Sequence, residues 1–249
     1  YYLTGRGVKA DPNKAAIWFE KAAAQGKHLA EYMLGEIYRC GNGVKRSHPE
    51  AARWYQKAVD GGFARSQFAL GNMIMRDRGE GVPKNTTEGA RLLTLSAEQG
   101  YPEAQCVLAQ CYENGDGMEP SRDKSLYWNK KSADQGNAKA MANYGWNLID
   151  AAAAKYQGNM DVVGHSPVPE SLYWARKSVA AGFMDAKIIL DKIEKVIGSK
   201  CANCQKVAVE LQHCSRCKGA MYCGVHCQKL HWKAGHKIDC VDGTGQKKS

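Results

Sequence analysis

No stretch of about 18 consecutive apolar residues occurs in the chain, which argues against a transmembrane helix. The opening YYLTGRGVKAD lacks the apolar core of a secretion signal. No strand followed by G-K-[ST] accompanies the glycine-x-glycine turns, so they read as turns and not as phosphate loops. No nucleophile, base and orienting group can be assembled from the spacing, and the expectation is a protein that is not an enzyme. Disorder is excluded too: 44% hydrophobic and 24% charged residues make an ordinary globular composition. The 249 residues suffice for one large domain or two smaller ones. The chain opens on Tyr1 and not on methionine, and the expectation is that more of the protein precedes it.

What is present is unevenly placed. Of ten cysteines, seven fall between residues 201 and 240. Disulfide frameworks spread through a small secreted domain, whereas paired C-x-x-C motifs beside histidine read as zinc ligands. A reducing compartment follows, cytoplasmic or nuclear. Net charge is +10, and from residue 200 onward nine Lys or Arg face three Asp or Glu. The terminal segment is therefore basic, and an anionic partner has to be considered.

A repeat runs through the first 200 residues. Leu34-Gly35 is echoed at Leu70-Gly71, Leu108-Ala109 and Tyr144-Gly145, at steps of 36, 38 and 36 residues. GRGV at 5–8 returns as GNGV at 41–44, GEGV at 79–82 and GDGM at 115–118. Gly26, Gly62, Gly100, Gly136 and Gly182 close the units, each eight residues after Trp18, Trp54, Leu92, Trp128 or Trp174. Three markers in one register predict two helices per unit. Ala30, Leu34 and Tyr38 share one face of the first helix. The glycine beside the leucine is expected to admit a neighbouring backbone. The second helix is predicted to begin at Asp11, Ser47, Asn85 and Ser121, all good N-cap residues. Ser47 with Glu50, and Asn85 with Glu88, make capping-box patterns. The closing glycine is read as the C-cap. The tryptophans are expected to pack in the core. Asn85-Thr86-Thr87 is a glycosylation sequon, but its place in the N-cap register supplies a structural role.

These motifs, LG-x-x-Y, G-x-G-V and K-A-x-x-W-[FY]-x-K-A-A-x-Q-G, resemble the Sel1-like repeat family, which is similar to the tetratricopeptide repeats. The resemblance implies an all-α fold, a right-handed α-solenoid of helix-turn-helix repeats, covering residues 1–198 in about five units. The first unit lacks its leading helix, because Tyr2 aligns with Tyr38, so further repeats are expected before Tyr1. The fifth unit is longer, and residues 151–169 are read as an extended helix and a surface loop. Residues 183–200 are read as a helix capping the stack. The resemblance also implies that the solenoid holds other proteins.

The terminal cysteines and histidine fall into four pairs: Cys201 with Cys204, Cys214 with Cys217, Cys223 with Cys227, and His236 with Cys240. Eight ligands suit two tetrahedral sites. Two-residue gaps match a knuckle, and three-residue gaps match i, i+4 positions on a helix. Thiolate-rich four-coordinate sites are closed, so the two Zn²⁺ would be structural. A module of about 40 residues buries too little apolar surface to fold without them. Cys40, Cys106 and Cys111 stand apart and are read as buried or incidental thiols.

YCGVHCQKLHWKAGHKIDC, at 222–240, resembles the tail of the MYND-type zinc finger. The resemblance implies interleaved sites. Cys201, Cys204, Cys223 and Cys227 would form one, and Cys214, Cys217, His236 and Cys240 the other. Spacing by itself fits a sequential pairing equally well. MYND fingers bind short proline-containing peptides, often in transcriptional regulators, and Ser215, Gln228 and Trp232 match positions lining that peptide groove. Trp232 also suits the core of so small a module. His213 and His226 directly precede cysteine ligands, which turns their side chains elsewhere. His231, four residues after Cys227, is the rival ligand.

The expected organisation is a solenoid over 1–198, a zinc module over 199–241 and a flexible tail over 242–249. The expected function is a non-catalytic interaction scaffold, with proteins and proline-containing peptides as partners and no membrane. One alternative is a nucleic-acid-associated zinc-finger protein using the basic module, although GVHCQKLHWKAG carries only two lysines. Another is the accessory region of a larger enzyme. MYND fingers accompany a SET domain in some lysine methyltransferases, and such a catalytic domain would have to lie upstream of Tyr1. Some Sel1-like proteins serve quality control in the endoplasmic reticulum, but reduced zinc-type cysteines argue against that lumen.

Overall fold

The computed structural model describes residues 7, 9–76, 81–155, 168–197, 212–213 and 221–222. The chain divides into two compact units, Tyr1–Ser125 and Leu126–Ser249. The first holds α1 (Pro12–Ala23), α2 (His28–Cys40), α3 (His48–Asp60), α4 (Ala64–Met75), α5 (Thr86–Glu98) and α6 (Pro102–Asn114). Next comes α7 (Arg122–Asp134), whose first residues belong to unit one. The second unit continues with α8 (Ala138–Lys155), α9 (Val168–Ala180) and α10 (Ala186–Ile197). It also contains a short antiparallel ladder of β1 (Gln212–His213) and β2 (Met221–Tyr222). In unit one each helix packs on its neighbours in sequence, from α1 on α2 to α5 on α6. In unit two α8 packs on α9, and α10 packs on both. This is the local, stacked packing of an α-solenoid.

The helix starts follow the predicted register. Asp11 Oδ1 accepts from Lys14 N at 3.1 Å, Ser47 Oγ from Glu50 N at 3.3 Å, Asn85 Oδ1 from Glu88 N at 3.0 Å and Ser121 Oγ from Lys124 N at 3.4 Å. Asn85 of the sequon therefore caps α5. The reciprocal half of the capping box is built differently. Ser47 N donates to Tyr38 O at 2.9 Å, Asn85 N to Ile74 O at 2.7 Å and Ser121 N to Tyr112 O at 2.8 Å. The cap's own N–H thus ties each second helix to the preceding one, and Glu50 and Glu88 are released to pair with Arg53 and Arg91.

The closing glycines all have positive φ, from 71° at Gly26 to 94° at Gly136. Gly62 and Gly100 sit one position beyond the C-cap, and Gly26 two positions beyond it. At α3 Gly61 is the cap, Gly62 N donates to Val59 O at 2.8 Å and Phe63 N to Ala58 O at 3.0 Å. This pair of bonds is the Schellman closure, with the left-handed residue at C′.

The core follows the register as well. Leu34 and Leu108 are fully enclosed, Leu70 is 5% exposed, and Tyr144 takes the same position in the second unit. Each buried leucine is worth about 1.5–3 kcal/mol. The glycine beside the leucine serves two different neighbours. At Gly71 the backbone of Gly89 comes close, as expected, with its carbonyl oxygen 3.0 Å from where a Cβ would stand. At Gly35 the occupant is instead the buried ring of Tyr55.

The tryptophans divide. Trp174 is buried, and Trp54 packs on the cluster of Ala23, Ala30 and Leu34. Trp18, expected in the core, is 58% exposed. Trp54 is covered because it reaches back onto the preceding repeat, and no described residue offers Trp18 that cover. Lysines three residues on lie over the rings, Lys57 at 3.9 Å from the Trp54 centroid and Lys177 at 5.0 Å from that of Trp174. Such cation–π contacts add about 0.5–1 kcal/mol at exposed sites. One position departs from apolar packing: Asn129 is fully buried, and neither its Nδ2 nor its Oδ1 has a partner among the described residues.

Candidate functional site

Equivalent faces of two successive first helices form an open groove of about 600 Å³ in the first unit. Tyr32, Glu36, Arg39 and Cys40 of α2 follow i, i+4, i+7 and i+8 spacing, so they share one side of the helix. Phe68, Asn72 and Arg76 stand 36 residues after Tyr32, Glu36 and Cys40, the step of the repeat itself. Arg46 and His48, from the α2–α3 connection and the start of α3, close one side. Arg46 donates to His48 Nε2 at 3.3 Å.

A polar triad anchors this wall. Arg39 grips Glu36 with two bonds, Nε to Oε1 at 3.2 Å and Nη2 to Oε2 at 2.5 Å. The Tyr55 hydroxyl donates to Glu36 Oε1 from the core side. Burial by itself would raise the Glu36 carboxyl, but the Arg39 and Tyr55 bonds outweigh it and hold the group below its ordinary value. Burial, followed by the hydrogen bond to Glu36 and then its charge, pushes Tyr55 upward, so it stays a donor.

A pH dependence follows. With its folded pKa depressed, Glu36 binds a proton more readily in the unfolded chain, so its contribution rises with pH. That contribution is complete above the ordinary value of 4.5 and is lost as pH falls through the lower folded value. Glu36→Gln is therefore expected to flatten the acid limb of stability below about pH 4.5, measured by urea unfolding across pH. An unchanged acid limb would show that the carboxylate is not held in this way.

The isolated cysteines separate by environment. Cys106 and Cys111 are buried, and the Cys111 thiol lies 3.9 Å from the Met75 sulfur. Burial pushes the Cys111 thiol up to about 11, which keeps it protonated and unreactive. Cys40 is exposed at the groove.

The residues singled out at the carboxyl end fall elsewhere. Cys201, Cys204, Cys214, Cys217, Cys223, Cys227, His236 and Cys240 lie outside the described residues, as do Ser215, Gln228 and Trp232. The loop expected after α8 and the leading segment before Gly7 do so too. The β1–β2 ladder pairs Gln212 with Tyr222 and His213 with Met221, within the cysteine-rich stretch. The donor types suit zinc: seven thiols and one imidazole, in four close pairs along the sequence, are the side chains that zinc takes. Among the described residues no group of His, Cys, Asp or Glu could hold a metal. Among the described residues no helix is long and apolar enough to cross a membrane.

Sequence reasoning missed the groove. Its signal was present as a second face in the same repeat register, but pattern reading follows the buried face.

Stacked two-helix repeats, capped and closed in one register, define a helical-repeat protein of the interaction type. The comparisons name the family. The Sel1 repeat model matches residues 1–27, 28–63, 64–101 and 102–137, and the chain belongs to the Sel1 repeat family. The MYND finger model matches residues 201–240, so the chain also carries a MYND finger, a zinc-binding module. Both kinds of module mediate protein interactions and are typically non-catalytic. A Sel1 repeat protein from Oxalobacter formigenes is similar in fold, with a TM-score of 0.66 at 26% identity over 78% of this chain and 75% of that one. A protective antigen of uropathogenic Escherichia coli gives 0.65 at 28% identity, over 77% of this chain and 39% of that one. An F-box protein of Arabidopsis thaliana is 25% identical over 164 residues, 66% of this chain and 47% of the relative. The N-lysine methyltransferase SMYD2 of Gallus gallus is 46% identical over 44 residues, 18% of this chain and 10% of that enzyme. The chain thus spans about half the length of that F-box relative, and a tenth of the methyltransferase.

Proposed function

We propose that the chain is a non-catalytic interaction scaffold of the cytoplasm or nucleus. A solenoid over 1–198 would hold a partner protein, the module over 199–241 would take a proline-containing peptide, and residues 242–249 would form a tail. The observation that carries the reading is the pairing of a helical-repeat groove with a closed, thiolate-rich donor set in one chain. In the module, Cys201, Cys204, Cys223 and Cys227 would hold one zinc, and Cys214, Cys217, His236 and Cys240 the other. Zinc supplies a structural cross-link when bound, which a segment this short needs in order to present a surface. Ser215, Gln228 and Trp232 would line that surface. The matching tail YCGVHCQKLHWKAGHKIDC supports these assignments.

The test uses the full zinc-loaded chain and fluorescent proline-containing peptides. Trp232→Ala and Gln228→Ala are each expected to weaken binding about tenfold or more while zinc content is unchanged. Loss of zinc together with binding would assign Trp232 to the core of the module. No binding of any such peptide would overturn its peptide role. The basic charge favours a second reading, nucleic-acid association, which would reveal itself as oligonucleotide binding that falls steeply with salt.

A further inference from the structure

We propose that Asn42 is a site of spontaneous deamidation, and that its isoaspartyl product unseats the α2–α3 turn from α1. The proposal is independent of the scaffold reading: it concerns the lifetime of the first unit, whatever partner that unit holds.

Chain chemistry narrows the candidates to two. Asparagine precedes glycine only at Asn42-Gly43 and Asn114-Gly115. Glycine places no Cβ beside its own N–H, so that nitrogen is open to attack the preceding carboxamide. In the reaction the Gly43 nitrogen bonds to Asn42 Cγ, and the Cγ–Nδ2 bond breaks. The nitrogen's proton leaves with the amide as ammonia. Water then opens the succinimide at either carbonyl. One opening leaves aspartate; the other leaves isoaspartate, with the main chain rerouted through the side-chain carboxyl. No oxidant or reductant takes part.

The two candidates occupy different places in one kind of turn. Helix α2 ends at Cys40, Gly41 is its left-handed cap at φ 75°, and Asn42 follows the cap. Helix α6 ends at Asn114 itself, and Gly115 is the cap. The Gly115 N–H, on the nitrogen that would attack Asn114, donates to Cys111 O at 2.9 Å. The Asn114 carboxamide is engaged too, Nδ2 donating to Asp116 Oδ2 at 3.2 Å. By contrast, among the described residues the Gly43 N–H and the Asn42 carboxamide have no hydrogen-bond partner, and both residues are exposed. Attack at Asn114 must first open the end of a helix, whereas attack at Asn42 breaks no such bond. The place of Asn42, between the two glycines of its turn, is taken by Asp116 in the later turn. An ionised carboxylate offers no leaving group there.

The consequence lies in the packing. A Cβ on Gly43 would stand 2.6 Å from the Pro12 carbonyl carbon and 2.7 Å from Asn13 N, so this backbone already lies against the first turn of α1. Isoaspartate inserts a methylene carbon into the main chain between residues 42 and 43. Close-packed contacts do not absorb an added carbon without displacement. Aspartate at 42 keeps the main-chain length, so it leaves that seat intact.

The test ages the full zinc-loaded chain in mildly alkaline buffer and maps its peptides by mass spectrometry against synthetic aspartyl and isoaspartyl standards. The peptide holding Asn42 is expected to gain about 1 Da, about tenfold or more faster than the peptide holding Asn114. In urea the two rates are expected to converge, because the bonds at Asn114 and Gly115 are then gone. The isoaspartyl chain, resolved by chromatography, is expected to melt below fresh protein, whereas the Asn42→Asp variant melts with it. Asn42→Gln is expected to abolish the fast mass gain without a change in melting. Equal rates at the two sites in the native chain would overturn the proposal. So would an Asn42 that reacts only in urea, or an isoaspartyl chain that melts with the fresh one. A difference in rate that persists in urea would overturn it as well, since it would belong to the sequence and not to the fold.

Discussion

Two zinc ions per reduced chain are expected, and chelation is expected to unfold residues 199–241 while the helical signal of the repeats persists. Structural zinc in small modules is worth about 10–16 kcal/mol of binding free energy near neutral pH. A segment of this length has little else to hold it, so metal removal is close to all-or-none for the module. The repeats are expected to draw their stability from stacked helices and not from the metal. Intact-mass measurement under native conditions counts the ions, and circular dichroism follows the helices. A double substitution then separates the two ligand pairings. With interleaved sites, Cys204→Ser/Cys227→Ser damages one site, and one ion should remain. With sequential sites it damages both, and none should remain. Finding no zinc in the unaltered, reduced chain would remove the metal from the account and return the seven cysteines to redox chemistry.

The second large effect is expected at Gly117. Its φ is +74°, in the left-handed region, and an added Cβ would stand 2.2 Å from the Thr86 carbonyl oxygen and 2.5 Å from its carbon. Neither atom can move aside, because both belong to the first turn of α5. Gly117→Ala therefore combines backbone strain of about 1–3 kcal/mol with an overpacking cost of similar size. A loss of about 2–5 kcal/mol is expected, read as a lower urea midpoint for the first unit. Gly62→Ala is the control: its φ is +75°, but nothing lies within 4 Å of the added carbon, so only the backbone cost should appear. Equal losses at the two sites would show that the contact with α5 contributes nothing. The same approach recurs at Gly43, whose added Cβ would stand 2.6 Å from the Pro12 carbonyl carbon. At Gly43 and Gly117 the second glycine of the G-x-G is thus a spacer between repeats as well as a turn residue.

How much of this was legible in the residues can be judged element by element. The helix starts at Asp11, Ser47, Asn85 and Ser121 were readable because an N-cap is a local event, one side-chain oxygen meeting an N–H three residues on. The buried Leu34, Leu70 and Leu108 were readable because burial recurs with the helical period and with the repeat. The MYND finger at 201–240 was readable because the spacing of paired cysteines in a zinc finger is set by geometry over a few residues.

Contacts between distant segments were not readable in this way. Ser47 and Asn85 spend their own N–H groups on Tyr38 and Ile74, carbonyls on the preceding helix, and not on the capping-box glutamates. The space beside Gly35 went to the Tyr55 ring, whereas that beside Gly71 went to a backbone. Trp18 and Trp54 have similar sequence surroundings, yet among the described residues Trp54 has the preceding hairpin against it and Trp18 is exposed. The groove lined by Tyr32, Glu36, Phe68 and Asn72 arose only when two helix faces, 36 residues apart, came to stand side by side.

The sequence by itself determined that this is a stack of two-helix repeats with a metal-binding end, because capping, periodicity and ligand spacing act over less than about ten residues. The tertiary structure alone decided which faces meet and which glycines carry neighbours, because those depend on surfaces brought together by folding.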